Sequence, residues 1–425
     1  MVKNSLIALA LLLFTGAFAQ NGTISPYSYF GFGDSRAQGT VENQMMGGLQ
    51  MYADSIHINL RNPAAYSKLR LTAYAAGISR TELRLKDAFD VQRTAITNLE
   101  YLAIGLPLSQ KMGLGFGLMP FSSVGYSVTS QSINPDGLEI NNAFSGSGGL
   151  NRVYFSFGYA PAKNLSLGAT VNYNFGTLEF DRLQTVENVL FGTRDFRQSR
   201  INGFDFNYAL NYTPKIKEKY TLFTHIGVNT QVNLVSKNSE QLSSFSVANG
   251  TNIETVEVNL DQNNLRNTEL KIPTVTTIGL GFGEDKQWFL GTEYSLQGFS
   301  SFTNDFLGQD NVQYADASSI AFGGYFIPDY RSISSYLNRI TYRAGLRYDE
   351  TGLLVNGKEI NNFGITFGLG LPLTGVGPAA FSNLNLGFEL GRRGTTDAGL
   401  VEESYFKINV GLSLNDRWFI KRRIN

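Results

Sequence analysis

The feature that most constrains this chain is a clean period-two alternation sustained over unusually long segments. Leu165, Leu167, Ala169, Val171, Tyr173 and Phe175 alternate with Ser166, Gly168, Thr170, Asn172, Asn174 and Gly176. The pattern returns at Leu384, Leu386, Phe388 and Leu390 against Asn385, Gly387, Glu389 and Gly391, and again at Phe406, Ile408, Val410, Leu412 and Leu414. Such segments are strands with one apolar and one polar face. Beyond the first twenty residues no apolar run reaches the ~18 residues that a membrane-spanning helix needs. A tilted strand crosses an outer membrane in roughly ten residues, and these strands are long enough.

Connection lengths carry a second signal. Fourteen candidate strands begin near 70, 96, 113, 151, 165, 200, 220, 271, 287, 318, 339, 362, 382 and 403. Every second connection is short or proline-marked: 109–112, 161–164, Thr213-Pro214, 284–286, and the segments at Pro328 and Pro372. The alternate connections, 132–149, 185–198, 237–268 and 303–317, read as long polar loops. Short turns at one end and long loops at the other is the asymmetry of an outer-membrane barrel. A soluble pair of β-sandwiches predicts no such parity. The expected fold is therefore all-β, a 14-stranded antiparallel transmembrane β-barrel, and the even count puts both chain ends on the short-turn, periplasmic side.

The N-terminus reads as an address. Lys3, an apolar stretch over 6–14 and Ala17-Phe18-Ala19 form a cleavable signal peptide over 1–19, so the exported chain begins at Gln20. Without cysteine there is no disulfide scaffold, no cysteine-ligated metal, no thiol nucleophile and no lipid anchor at the cleavage site. Thirty-five basic residues balance 35 acidic ones with no long basic run, which argues against nucleic acid as a partner.

Residues 20–69 lack a transmembrane pattern, yet they are too apolar for disorder. They read as a plug, ahead of a barrel over 70–414 and a periplasmic tail over 415–425. Met46-Gly47-Gly48, Ala53-Asp54-Ser55 and Asn62-Pro63-Ala64-Ala65 resemble the N-terminal hatch of the FadL-type outer-membrane long-chain fatty acid transporters. The exported chain resembles that superfamily in its fourteen strands as well. The closing Asn415-Asp416-Arg417-Trp418-Phe419-Ile420-Lys421 resembles the tail of one branch. That branch includes both transporters and shuttles of type IX secretion. The resemblance implies a hatch motif at Asn62, Pro63 and Ala64.

Pro120 falls in the middle of the third strand, where the ladder loses a donor and a kink or gap follows. The family is similar in having a kinked third strand that opens the wall sideways. Pro120 and Gly117 are thus the candidates for a lateral gate, with an ordinary bulge as the alternative. Arg343, Arg347, Glu389 and Lys407 fall on polar faces and are the candidate lumen charges. The arginines would meet an anionic head group or the hatch, or else belong to a solvated ion-pair lattice.

Catalytic chemistry is sparse. His57 and His225 are the only imidazoles, too few and too far apart to hold a metal, and His225 reads as a solvated lumen residue. Gly279-Leu280-Gly281-Phe282-Gly283 sits inside a strand rather than before a helix, so it is no nucleotide loop. No G-x-S-x-G elbow occurs. The expectation is a non-enzyme without a cofactor.

Two functions stay open. One is uptake of a hydrophobic or amphipathic small molecule or lipid by hatch movement and lateral exit. The other is a plugged barrel whose loops hold an envelope protein, as an interaction or shuttle subunit of a secretion or assembly machine.

Overall fold

The computed structural model describes residues 22–36, 38–307, 311–373 and 381–417. The expected signal peptide over 1–19 and residues 418–425, including most of the closing motif, lie outside the described residues. Fourteen strands close into one antiparallel barrel. They are β1 (Thr72–Lys86), β2 (Val91–Pro107), β3 (Met112–Ile133), β4 (Glu139–Ala162), β5 (Leu165–Val186), β6 (Phe191–Tyr212) and β7 (Tyr220–Asn229). The second half comprises β8 (Val275–Glu284), β9 (Trp288–Gln297), β10 (Ala317–Phe326), β11 (Thr341–Val355), β12 (Lys358–Pro372), β13 (Asn383–Arg393) and β14 (Glu402–Asp416). Each strand pairs with the next and β14 returns to β1. Closure pairs the backbone without an outer edge, which hydrocarbon surroundings demand.

The alternation sorts as a lipid-facing wall requires. Phe155, Phe157, Phe204, Phe206, Ile278, Leu280, Phe322 and Leu390 point outward and are exposed. Ser156, Asn172, Asn174, Asn211, Thr366 and Asn409 point inward and are buried. Apolar outside and polar inside is the reverse of a soluble core.

The wall is uneven in height. β7 to β10 have 10 residues each, whereas β3, β5 and β6 have 22 and β4 has 24. At about 3.3 Å per residue β4 is roughly 80 Å long, well beyond a bilayer's need. The stretches 132–149 and 185–198, expected as loops, are therefore mostly strand, and the turns shrink to 134–138 and 187–190. Above the bilayer the outer face meets water instead of lipid, so the apolar alternation that reveals a strand fades while the ladder continues.

Much of 237–268 is also strand. Val232–Ser246 prolongs β7 beyond a break at Thr230-Gln231 and pairs with β6, and Asn252–Glu257 folds back on it. Asn267–Ile272 pairs with Val232–Ser246 and leads through Pro273-Thr274 into β8, so the eighth strand expected near 271 starts its barrel course at Val275. Inside this tall end, Phe121, Leu150, Leu178, Phe180, Ile201, Leu234 and Ile272 pack with Phe32, Phe302 and Phe306 into an apolar core.

Candidate functional site: the filled lumen and the β2–β3 seam

Residues 22–36 and 38–71 pack against the inward face of the barrel. Glycine on the wall is what allows the approach. A Cβ on Gly168 of β5 would collide with the Pro63-Ala64 peptide, and one on Gly345 of β11 would collide with Met46 and Gly47. Gly47 itself has φ +72 and lies against the carbonyls of Phe322 and Leu346, a conformation that glycine adopts without strain. The glycine repeats on β8, β12 and β13 are thus seats for Met51 and Met45.

Asn62 and Pro63 open a 3-10 helix, Pro63–Lys68, with proline where a missing N–H costs nothing. The Asn62 amide donates to the Gln50 carbonyl at 2.9 Å and to Asn211 Oδ1 of β6 at 3.3 Å. Ala64, in the first turn of that helix, is buried against Gly168 of β5. His225 meets the same Asn211 oxygen through Nδ1 at 2.7 Å and is buried. The expected solvated histidine is therefore corrected, because the N-terminal segment covers it and shuts water out.

Of the candidate lumen charges, Arg343 and Glu389 are buried, while Arg347 and Lys407 are partly exposed. Arg347 donates to Glu389 at 2.6 Å, with Tyr405 and Asp349 beside it. Arg343 donates to Asn385 at 3.1 Å, and Asn385 in turn donates to Glu42 of the N-terminal segment at 2.8 Å. Lys407 lies 3.1 Å from Glu100, which also meets Arg36 of the N-terminal segment at 2.8 Å. Lys407 stands directly opposite Glu389 across β13 and β14, so Arg347, Glu389 and Lys407 are neighbours on one stretch of wall, while Arg343 keeps to Asn385 and Glu42.

Three further buried contacts escaped the sequence reading. Glu293 accepts the N–H groups of Gln50 and Met51 at 2.8 and 2.6 Å, although its odd-numbered position on β9 already placed it inward. Arg152 and Asp205 pair at 3.0 Å across β4 and β6. Glu100 sits at a bulge in the β1–β2 ladder, which turns both Glu100 and Tyr101 inward and hides them from a strict alternation.

Near the short-turn end the N-terminal segment carries its own ion pair. His57 Nδ1 is 2.6 Å from Asp54 Oδ2, with Glu42 4.0 Å from Nε2. Burial pushes the Asp54 carboxyl up, but the imidazolium and two backbone N–H groups overcome this and hold it at about 2. Burial likewise lowers His57, and the Asp54 and Glu42 charges more than offset it, leaving the ring raised.

Pro120 lies where the wall changes. β2 and β3 pair only from Leu102–Leu118 down to Pro107–Gly113, while β1 follows β2 up to Val91. Gly117, in the last pairs before the strands part, sits where a Cβ would strike the Leu102 carbonyl. The β3–β4 register shifts between Pro120 and Ser122. Above that shift β3 turns inward, burying residues on both faces from Phe121 to Tyr126.

The space left beside β2 is occupied by the N-terminal segment. Asp34 and Ser35 pair with Ser123 and Ser122, the Arg36 N–H donates to the Phe121 carbonyl at 3.1 Å, and Asn98 donates to the Gly22 carbonyl at 3.0 Å. Ser122 Oγ donates to the Phe32 carbonyl at 2.8 Å. A cavity of about 550 Å³ is lined by Phe30, Phe121 and Phe299 together with Arg36, Arg347 and Lys407. Among the described residues no group of acidic and histidine side chains is arranged to hold a metal.

These features define an outer-membrane-type β-barrel with an occupied lumen. The chain belongs to the BamG family, whose model matches residues 1–425. No curated protein matches the sequence. Among solved structures, the toluene transporter TodX of Pseudomonas putida is similar at TM-score 0.59 and 14% identity, covering 92% of this chain and 100% of its own. A FadL homologue of Pseudomonas aeruginosa is similar at 0.57 and 10%, covering 92% and 100%. The toluene transporter TbuX of Ralstonia pickettii follows at 0.54 and 13%, covering 89% and 98%. At these identities the likeness is one of fold, so the FadL-type resemblance holds for architecture while the family is BamG.

Proposed function

We propose that this protein is a plugged, non-enzymatic barrel of the bacterial outer membrane, exported by cleavage of residues 1–19, that serves as an interaction subunit of an outer-membrane secretion or assembly machine. Its tall end faces outside, and both termini are periplasmic. The observation that carries this reading is apolar surface far above the lipid-facing band. Ile133 and Leu190 are each 76% exposed, and Phe191, Val247 and Ile253 are open as well. They stand on the tips of neighbouring hairpins, with the Val247 N–H donating to the Leu190 carbonyl at 3.0 Å. On β4 the tip begins 14 residues beyond Val153 (153 minus 139), the last outward apolar residue of the band, or roughly 45 Å along the strand. Apolar side chains grouped in water favour a protein partner.

The hatch, residues 20–69, is in this reading a fixed filler, because ion pairs tie it to the wall and each would have to break for it to move. Family membership spans the whole chain, and a shared fold does not carry a shared duty. Photo-crosslinking in intact cells tests the proposal. A crosslinker at Leu190 or Val247 should capture one discrete protein, whereas one at lipid-facing Phe206 should not. Capture of nothing at either tip would refute it.

The unzipped β2–β3 seam and the cavity above it favour a second reading, uptake of an amphipathic small molecule with Pro120 as a lateral gate. The cavity's mixed lining of phenyl rings and charged groups suits such a ligand. Under that reading the purified barrel carries an amphiphile, and Pro120→Val lowers uptake while folding is preserved.

A further inference from the structure

The outward face of β13, β14, β1 and β2 changes character abruptly at the top of its apolar band. Leu390, Phe406, Ile408 and Ile78 face outward, and the next outward positions are Arg392 on β13, Ser404 on β14 and Arg80 on β1. Register places Arg392, Ser404, Arg84 and Arg93 in one row across the four strands. Arg80 lies two outward positions below Arg84 on β1, and Lys86 one above it.

Arg84 and Arg93 are directly opposite each other, both exposed, and neither has an ion pair or hydrogen bond among the described residues. Like charges so placed repel. Two carboxylates share the face. Glu82 lies 3.8 Å from Arg80, and Glu402 pairs with Arg392. Glu402 also stands directly opposite Lys86, so Arg84 and Arg93 are the two left without a carboxylate partner among the described residues.

Guanidinium groups bind phosphate oxygens in paired, planar fashion, and basic side chains beside a bilayer surface take up anionic head groups. We propose that this row is a binding site for the phosphate groups of an outer-leaflet lipid. The acyl chains would lie against Leu390, Phe406 and Ile408, and the phosphate would bridge Arg84 and Arg93. The inference rests on the proposed orientation, which puts the tall end in the outer leaflet.

A smaller opposed pair, Arg200 and Lys237, stands elsewhere on the wall with Glu269 on the neighbouring strand, and it provides the comparison. The full chain, in detergent, is titrated with diphosphorylated lipid A, the dephosphorylated lipid and inorganic phosphate. Native mass spectrometry counts the bound lipid. The triple variant Arg84→Gln, Arg93→Gln, Arg392→Gln should retain the diphosphorylated lipid about tenfold more weakly. Its melting temperature without lipid should be unchanged, and Arg200→Gln with Lys237→Gln should bind as the parent does.

Equal retention by parent and triple variant would overturn the site, as would an equal loss in the comparison pair. Equal binding of the dephosphorylated lipid would remove the phosphate from the account. Displacement of the lipid by millimolar inorganic phosphate would make the ligand a free anion rather than a lipid. Orientation is read separately, by protease access to a tag in 187–190 on intact cells, so a reversed topology and an absent site give different results.

Discussion

Two seams of the same barrel are built differently. β5 and β6 pair without interruption from Leu165–Tyr212 to Gln184–Thr193, and the wall there needs nothing else. β2 and β3 pair over six positions and then part, and the N-terminal segment supplies the missing neighbour through Asp34, Ser35 and Arg36. The difference teaches that the barrel is complete only with its filler in place: at one seam the lumen segment is part of the wall.

The largest expected effect comes from removing that segment. Deleting residues 22–69 should open the β2–β3 seam and empty the lumen, raising single-channel conductance severalfold in planar bilayers. An unchanged, closed barrel would contradict the plug.

Glu100 comes next, since it lies between Arg36 and Lys407 with Ser79 Oγ donating to it. Breaking a buried charge cluster from one side costs about 3–5 kcal/mol. Glu100→Gln should therefore lower the unfolding temperature clearly. Arg194→Gln, which breaks a more exposed pair with Asp181 on the intact β5–β6 seam, should cost under about 1 kcal/mol. Equal effects would remove the contrast between the seams.

A smaller cost, about 1–3 kcal/mol, is expected for Gly168→Val, which forces Pro63-Ala64 off the wall. Gly298→Val meets no atom within 4 Å and serves as the neutral comparison. Proteolysis at 62–68 should become faster in the first variant only.

The smallest effect is one of pH. The raised His57 stabilises the folded state fully below its unfolded value of 6.5, and that contribution is lost as pH rises through the higher folded value. The lowered Asp54 contributes above 3.8 and loses this as pH falls toward about 2. The parent's melting temperature, relative to His57→Gln, should thus be highest between about pH 4 and 6.5 and converge above it. A constant difference up to pH 9 would contradict the pairing.

Much of the architecture was legible in the chain. Lipid on one side and a polar interior on the other impose the alternation seen at Leu165–Phe175, and the fourteen strand positions followed from it. The tall end was not legible, since the outer face of residues 139–149 and 191–198 meets water rather than lipid and these stretches look like loop. Nor was the burial of His225 and Arg343, because a polar face identifies the lumen side of a strand without saying what fills the lumen. Glu100 was hidden by a bulge that breaks the parity. Glu293 had the right parity, but its partners are backbone N–H groups, which no side-chain pattern announces.

The central claim is that the segment closing the β2–β3 seam is a fixed part of the wall. Ser35 and Ser122 are directly paired across it, and the chain has no cysteine of its own. Antiparallel neighbours lie at a separation a disulfide can bridge. With Ser35→Cys and Ser122→Cys oxidised, the tip crosslinks at Leu190 should form as in the parent, and reduction should change nothing. Loss of partner capture or of amphiphile uptake on oxidation, restored by reductant, would contradict the account and show a hatch that must move.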